Sequence, residues 1–165
     1  ILLCLYSGLR IGELIALQLS DIDFVKGILT VSKSCHDGQD GLIIDEPKTA
    51  NSRRLIPLPK QLLPILKGIK KKSKSPFVVS ANGSSVSVRS YQRSFELLLK
   101  RLNIPHKGFH SLRHTFATRA LECGMDIKTL AEILGHKNPT VTLNRYAHSL
   151  MEHKSDMMNR LGKLL

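Results

Sequence analysis

Apolar residues recur at helical spacing through most of this chain and alternate with polar residues in one early segment. Residues 1–19 carry leucines three to five positions apart, and Ser7-Gly8 interrupts them, which predicts a turn between two short helices. A second apolar stripe, over residues 61–74, ends in a run of lysines, which suits the carboxyl end of a helix. Residues 88–102 are predicted to form a further helix.

The alternating segment predicts strands. Residues 21–33 alternate around a lysine–glycine turn, which indicates a hairpin. Residues 36–41 are predicted to be a loop, and residues 42–45 and 53–58 are predicted to form a second pair of short strands. We therefore expect an α+β fold that is mainly α, with a small antiparallel β-sheet on one edge.

The stretch from residue 108 to residue 146 has the pattern of three short helices. Gly124 and Gly135 are suited to the left-handed position that closes the first two helices. Asn138, followed by a proline, is a start signal for the third helix, which carries Tyr146 near its end. Polar side chains that can act on a phosphate lie at the ends of these predicted helices.

Composition and charge narrow the class of partner. The chain has 165 residues, which is about one domain, and 25 Lys and Arg against 13 Asp and Glu give a net charge of +12. Such an excess favours a nucleic acid over a merely basic soluble surface. Three cysteines without a CxxC motif predict neither a disulfide framework nor a zinc ribbon, which fits a reducing cytosol. No apolar run approaches the ~20 residues of a membrane span, so we expect no membrane partner.

Six polar residues could together support phosphoryl transfer. Arginines grip phosphate oxygens through two N–H groups, and histidines donate to the same oxygens or move protons. A tyrosine hydroxyl can attack phosphorus once it is deprotonated, and a lysine can protonate the leaving alkoxide. No carboxylate cluster offers itself for Mg²⁺, so we expect a site without metal or cofactor. The candidates are Arg10, Lys48, His110, Arg113, His136 and Tyr146.

Taken one at a time, these residues have simpler explanations. Arg10 and Glu13 are three apart and are best explained in isolation as an ordinary surface ion pair. Lys48, at the tip of a connection, is by default a solvated turn lysine. His110 and His114 have the spacing of two metal ligands on a helix, but the motif lacks its glutamate and a clear third ligand. We expect His114 to be a hydrogen-bonded structural residue.

Four segments, in this order, resemble the catalytic domain of tyrosine recombinases, the phage integrase family. They are SGLRIGEL at residues 7–14, PKTANSRRLIPL at 47–58, HSLRHTFAT at 110–118 and LGHKNPTVTLNRYAH at 134–148. Any one segment would be weak evidence, but four in order are highly specific. The sequences of these segments look most like those of the integrases of bacterial phages and conjugative transposons.

The resemblance assigns a role to each candidate. It implies that Arg10 and Arg113 bind the phosphate and that Lys48 is the general acid for the leaving 5′-oxygen. His110 and His136 would be the two phosphate-contacting and proton-handling positions. Tyr146 would be the nucleophile, which forms a 3′-phosphotyrosine link and conserves bond energy, so that rejoining needs neither ATP nor metal. Candidates for DNA-backbone contacts are Arg54, Arg89, Arg93 and Lys137.

The resemblance also implies the assembly. Residues 1–165 would be the catalytic domain alone, without the DNA-clamping domain that usually precedes it. The expected partner is double-stranded DNA, bound by a homotetramer that exchanges its last helix, residues 149–165, with possible accessory DNA-bending proteins. The expected location is the bacterial cytoplasm, in association with the nucleoid.

Two rival functions stay open at this point. A non-catalytic DNA-binding module is possible because the first two helices around Gly124 mimic a helix-turn-helix, although such a module would not require Lys48 or Tyr146. A type IB topoisomerase shares the chemistry but relaxes DNA alone. The GHK and NRYAH segments favour the integrase over the topoisomerase.

Overall fold

The computed structural model describes residues 1–39, 41–45, 53–136, 138, 140, 142, 158–159 and 161–163. Lys48, Lys137, Tyr146 and nearly all of the predicted last helix lie outside these residues. In chain order the elements are α1 (Leu2–Ser7), α2 (Ile11–Ala16), a 3-10 turn (Leu19–Asp21), β1 (Ile22–Asp23), β2 (Ile28–Val31), β3 (Ser34–Gly38), β4 (Gly41–Asp45), β5 (Arg54–Pro57), α3 (Leu62–Lys72), α4 (Val88–Arg101), α5 (His110–Glu122) and α6 (Ile127–Leu134).

The predicted fold class is confirmed: the described chain is mainly helical, with antiparallel strands. The strands form two small sheets, one in the order β1-β2-β5 and one made of β3 and β4. In the first sheet Leu29 lies opposite Ile56, and in the second Cys35 lies opposite Ile44. The predicted hairpin at residues 21–33 is the β1-β2 pair.

Two predictions about the strands are wrong. The predicted loop at residues 36–41 is wrong, because His36, Asp37 and Gly38 belong to β3 and Gly41 begins β4. Residues 42–45 do not pair with residues 53–58, because β4 pairs with β3 while β5 pairs with β2. The polar residues of β3 are typical of a loop in sequence. One of them, Asp37, has a structural role in this strand. Its carboxylate accepts from the backbone N–H groups of Val88 and Arg89 at 2.9 Å each, and so caps α4.

The predicted helix breaks are confirmed. Gly8 ends α1 in the left-handed conformation, with φ of 63°. A Cβ atom at Gly8 would lie 2.6 Å from Phe116 and 2.7 Å from Leu134, so the turn is in close contact with both α5 and α6. Asp126 caps α6 by accepting from the backbone N–H of Thr129, and Gly135 closes that helix in the left-handed conformation.

The core has a large part and a small part that meet at this turn, and a third cluster formed by Ile15, Ala16 and Cys35. The large part combines α1, α2, the three-stranded sheet, α3 and α4 around fully buried residues such as Leu29 and Leu62. The small part lies between α5 and α6, where Leu121, Leu130 and Leu134 pack together. Among the described residues, no helix is long and apolar enough to cross a membrane.

Two glycines provide a matched test of this packing. We expect Gly8→Ala to lower the free energy of unfolding by about 1–2 kcal/mol from its left-handed backbone alone, with steric overlap against Phe116 and Leu134 in addition. Gly68→Ala, within α3 and with open space around the new methyl group, should instead stabilise by up to about 1 kcal/mol. Urea unfolding measures both, and equal stability of the two variants would contradict this account of the turn.

Candidate active site

Arg113 lies at the centre of the site, on the first turn of α5, and is only 3% exposed. Its Nη1 donates to the carbonyl oxygen of Gly8 at 2.7 Å, and its Nη2 donates to that of Leu134 at 2.7 Å. Nη2 also lies 3.0 Å from Nε2 of His136. Gly8 and Leu134 are at the carboxyl ends of α1 and α6, where helix dipoles favour a cation. Arg113 therefore joins the ends of two helices to His136.

Arg10 follows the Gly8 turn by two residues and starts α2, with its side chain 43% exposed. Its backbone N–H donates to Glu13 Oε2 at 2.8 Å, and its Nη1 donates to Glu13 Oε1 at 3.0 Å. The simplest explanation of this pair, an ordinary surface ion pair, is wrong, because Glu13 is 7% exposed. Arg10 is thus held from behind by a buried carboxylate while part of its side chain faces solvent.

Arg54 is the second partner of that carboxylate. Its Nη1 and Nη2 donate to the two carboxylate oxygens of Glu13 at 2.9 and 2.8 Å, and its Nε donates to the carbonyl oxygen of Ile133 at 2.6 Å. The buried side chain of Arg54 thus differs from the exposed position expected of a DNA-backbone contact, and that contact stays a prediction. Alternation along β5 explains the difference, because Arg54 and Ile56 point inward while Leu55 is exposed.

The charges around Glu13 decide its protonation. Burial raises the pKa of the Glu13 carboxyl, but the hydrogen bond and charge of Arg54, followed by those of Arg10, outweigh it and hold the pKa below its ordinary value. Gly135 belongs to the same cluster. A Cβ atom there would lie 3.0 Å from Nη1 of Arg54, and its φ of 66° also favours glycine.

His136 follows Gly135 and is half-buried. Its Nε2 faces Arg113, as described above, and its Nδ1 lies 2.7 Å from Oγ1 of Thr142. Asn138 accepts from the backbone N–H of Thr140 through its side chain, as the predicted helix start requires. The imidazole is thus held at both ring nitrogens.

His110 is the first residue of α5 and is exposed, three positions before Arg113. Its ring packs edge-on against the ring of His114, with centroids 4.8 Å apart and planes at 86°. The spacing that suggested two metal ligands therefore produces a ring contact on the surface of the helix. Within the described part of the chain, no cluster of three or more His, Cys, Asp or Glu residues is suited to a metal ion.

The structure connects some of the predicted site residues and leaves others apart. Arg113 and His136 belong to one hydrogen-bonded network, Arg10 belongs to a second one around Glu13, and His110 lies on the same helix as Arg113. Arg89 and Arg93 are exposed on α4, where a DNA contact stays a prediction. The predicted roles of Lys48, Lys137 and Tyr146 fall outside the described residues.

Sequence reasoning missed two residues that contact the site: Arg54, which binds Glu13, and Thr142, which binds His136. The inward position of Arg54 could have been found from its two-residue spacing to Ile56, which is apolar. Thr142 carries no such signal, because a threonine near the start of a predicted helix is ordinary, and its contact with His136 depends on the tertiary fold.

This fold is that of the catalytic domains of tyrosine recombinases. Residues 1–153 match the sequence profile of the phage integrase family, and the chain belongs to this family.

Individual relatives agree with this membership. The chain is 31% identical to a tyrosine recombinase XerC-like protein of Caldanaerobacter subterraneus subsp. tengcongensis, over 99% of this chain and 48% of the relative. It is 32% identical to the transposase of transposon Tn916 from Enterococcus faecalis, over 99% of this chain and 45% of the relative. The Tn1549 transposon integrase, solved with transposon right end DNA, matches with a TM-score of 0.82 and 33% identity, over 98% of this chain and 57% of that one. The chain spans about half the length of the curated relatives it matches.

The buried ion pair makes a prediction about stability. Arg54→Ala should lower the free energy of unfolding by about 3–5 kcal/mol at neutral pH, because it leaves the buried Glu13 carboxylate without its main partner. Arg119→Ala, which removes an exposed ion pair with Glu122, should cost less than about 1 kcal/mol. Chemical denaturation of both variants and of the unmodified chain measures the difference.

The pH dependence has a definite sign. Because the pKa of Glu13 is lower in the folded chain than in the unfolded chain, the ion pair stabilises the fold above the unfolded pKa, and this contribution is lost as pH falls through the folded pKa. The stability gap between the unmodified chain and Arg54→Ala should therefore narrow in acid. A gap that is small at pH 7 or that widens in acid would contradict the assignment.

Proposed function

We propose that this chain is the catalytic domain of a site-specific DNA recombinase that integrates and excises a mobile element. The observation that carries the proposal is the buried guanidinium of Arg113, which joins the turn before Arg10 to His136. This supports the proposal, because it brings His136 next to one of the two arginines and next to the turn that precedes the other. Residues 1–165 would form this domain, and the DNA-clamping domain would precede them in the whole protein.

The two arginines would stabilise charge on the phosphate. Arg10 is partly exposed and could bind a non-bridging oxygen directly, while its orientation is set by Glu13. Arg113 is fixed by two main-chain carbonyls before any DNA arrives. Donors that are already oriented need little reorganisation as charge develops, and this is a large source of rate enhancement in enzymes.

The chemical step would be an exchange of one phosphodiester for another. The oxygen of Tyr146 would attack phosphorus and lose its proton to a histidine of the site, His110 or His136. The bond from phosphorus to the 5′-oxygen would break, and Lys48 would give that oxygen a proton. Rejoining would be the reverse step, with a 5′-hydroxyl attacking the phosphotyrosine. No ATP would be needed, because one ester replaces another.

The comparisons support DNA as the substrate and a mobile element as the setting. The Tn1549 integrase was solved with transposon DNA, and the relatives include the Tn916 transposase and the ICEBs1 integrase of Bacillus subtilis. We propose that the whole protein acts as a homotetramer with exchange of its last helix, aided by accessory DNA-bending proteins. Its site of action would be the DNA of the bacterial cytoplasm.

The nucleophile is tested by trapping. With the full-length protein and a nicked duplex that carries the element's core site, we expect a covalent protein–DNA band on a denaturing gel. Tyr146→Phe should abolish the band and leave DNA binding intact, because it removes only the attacking oxygen. Tyr91→Phe is the matched control, since Tyr91 is half-buried with its ring 5.6 Å from that of Phe109. An adduct that persists in Tyr146→Phe would refute the assignment, and binding without any adduct in the unmodified protein would favour a DNA-binding module.

The contribution of α4 to DNA binding is tested by salt. If Arg89 and Arg93 each neutralise a phosphate, each alanine substitution should reduce the slope of log affinity against log salt by about 0.9. Arg119→Ala should leave the slope unchanged, because Arg119 is already paired with Glu122. Unchanged slopes in the α4 variants would remove these arginines from the DNA interface.

A further inference from the structure

We infer that Thr142 is a positioning residue for His136: Arg113 places the proton of the imidazole on Nδ1, and the hydroxyl of Thr142 accepts from that N–H and holds the ring with Nε2 toward Arg113. The inference about the tautomer rests on the structure alone. Its consequence for strand cleavage rests on the proposed function.

The tautomer follows from the partners of the ring. Nε2 of His136 lies 3.0 Å from Nη2 of Arg113, and a guanidinium can only donate hydrogen bonds. Nε2 must therefore accept, which places the ring proton on Nδ1. Nδ1 lies 2.7 Å from Oγ1 of Thr142, so the threonine oxygen is the acceptor.

The position of Thr142 suits this role. It is completely buried, so water does not compete for the hydrogen bond. A threonine side chain is also restricted about its first torsion, which limits the directions in which the oxygen can point. If Nδ1 lost this acceptor, its N–H would lose its hydrogen bond, and the ring would no longer be held from the side of Thr142.

The arrangement serves both protonation states of His136. With the proton on Nδ1, the lone pair of Nε2 can take up a proton beside Arg113. Once Nε2 is protonated, Nδ1 still donates to Thr142, and Nε2 can donate to a phosphate oxygen. The ring therefore need not rotate between accepting a proton and contacting the phosphate. Thr142 is four residues before Tyr146 in the sequence, so the bond also links His136 to the segment that carries the proposed nucleophile.

The tautomer is tested by nitrogen NMR of the full-length protein without DNA. With ¹⁵N-labelled histidine, and His136→Gln to assign the signals, we expect Nδ1 of His136 to have the shift of a protonated ring nitrogen and Nε2 that of an unprotonated one. Thr142→Val should remove the hydrogen bond from Nδ1 and so shift the Nδ1 signal of His136, whereas Thr142→Ser should keep the original signals. Thr140→Val, at an exposed position two residues earlier, should change nothing.

Two results would overturn the inference. One is a protonated Nε2 and an unprotonated Nδ1 in the unmodified protein, and the other is an unchanged His136 spectrum in Thr142→Val. The first needs no substitution, so the inference stays open to refutation even if Thr142→Val does not fold.

The consequence for function is tested by the rate of strand cleavage on the nicked duplex. Thr142→Val should slow cleavage by roughly 10- to 100-fold, as loss of a group that orients a catalytic histidine typically does. Thr142→Ser should recover most of the rate, and DNA affinity should stay the same in all variants. A normal rate in Thr142→Val despite a shifted Nδ1 signal would refute the positioning role while the recombinase assignment stands. Absence of any adduct in the unmodified protein would instead count against the proposed function, and the NMR result would then decide the tautomer by itself.

Discussion

The architecture of the site depends on one buried negative charge. Glu13 is removed from water, and a buried carboxylate is tolerable only if cations and hydrogen bonds surround it. Arg54, on β5, donates two hydrogen bonds to the Glu13 carboxylate. Arg10, at the start of α2, donates one from its side chain and one from its main-chain N–H. A sheet and a helix from distant parts of the chain are therefore fixed to each other at the place where Arg10 faces solvent. The stability of the fold and the orientation of the proposed phosphate-binding residue depend on the same contact.

A second regularity is that arginines bind the carboxyl ends of helices. Arg113 donates to Gly8 and Leu134, and Arg54 donates to Ile133, so main-chain carbonyls of α1 and α6 receive guanidinium N–H groups. These carbonyls lack partners within their own helices, and the helix dipole adds negative potential at that end. Because the acceptors are main-chain atoms, the positions of the guanidinium groups are determined by the backbone and not by mobile side chains.

Local features of the fold could be predicted from the sequence, and pairings between distant residues could not. The turn at Gly8, the cap at Asp126 and the stop at Gly135 depend on neighbouring residues, and each was predicted correctly. Strand partners were wrong because any two short alternating segments are compatible in sequence, and tertiary contacts choose between them. The candidate phosphate-binding residues were found through ordered motifs, whereas the contact between His136 and Thr142 depends on the tertiary fold.

Arg54 and Gly135 place a joint restriction on how this domain can change over evolutionary time. A larger residue at position 135 would force the guanidinium of Arg54 to move. A smaller residue at position 54 would remove the two hydrogen bonds from Arg54 to the buried carboxylate of Glu13. A substitution at one of these three positions therefore changes which residues the other two positions can accept. Exposed positions such as those on α4 are not bound by these contacts.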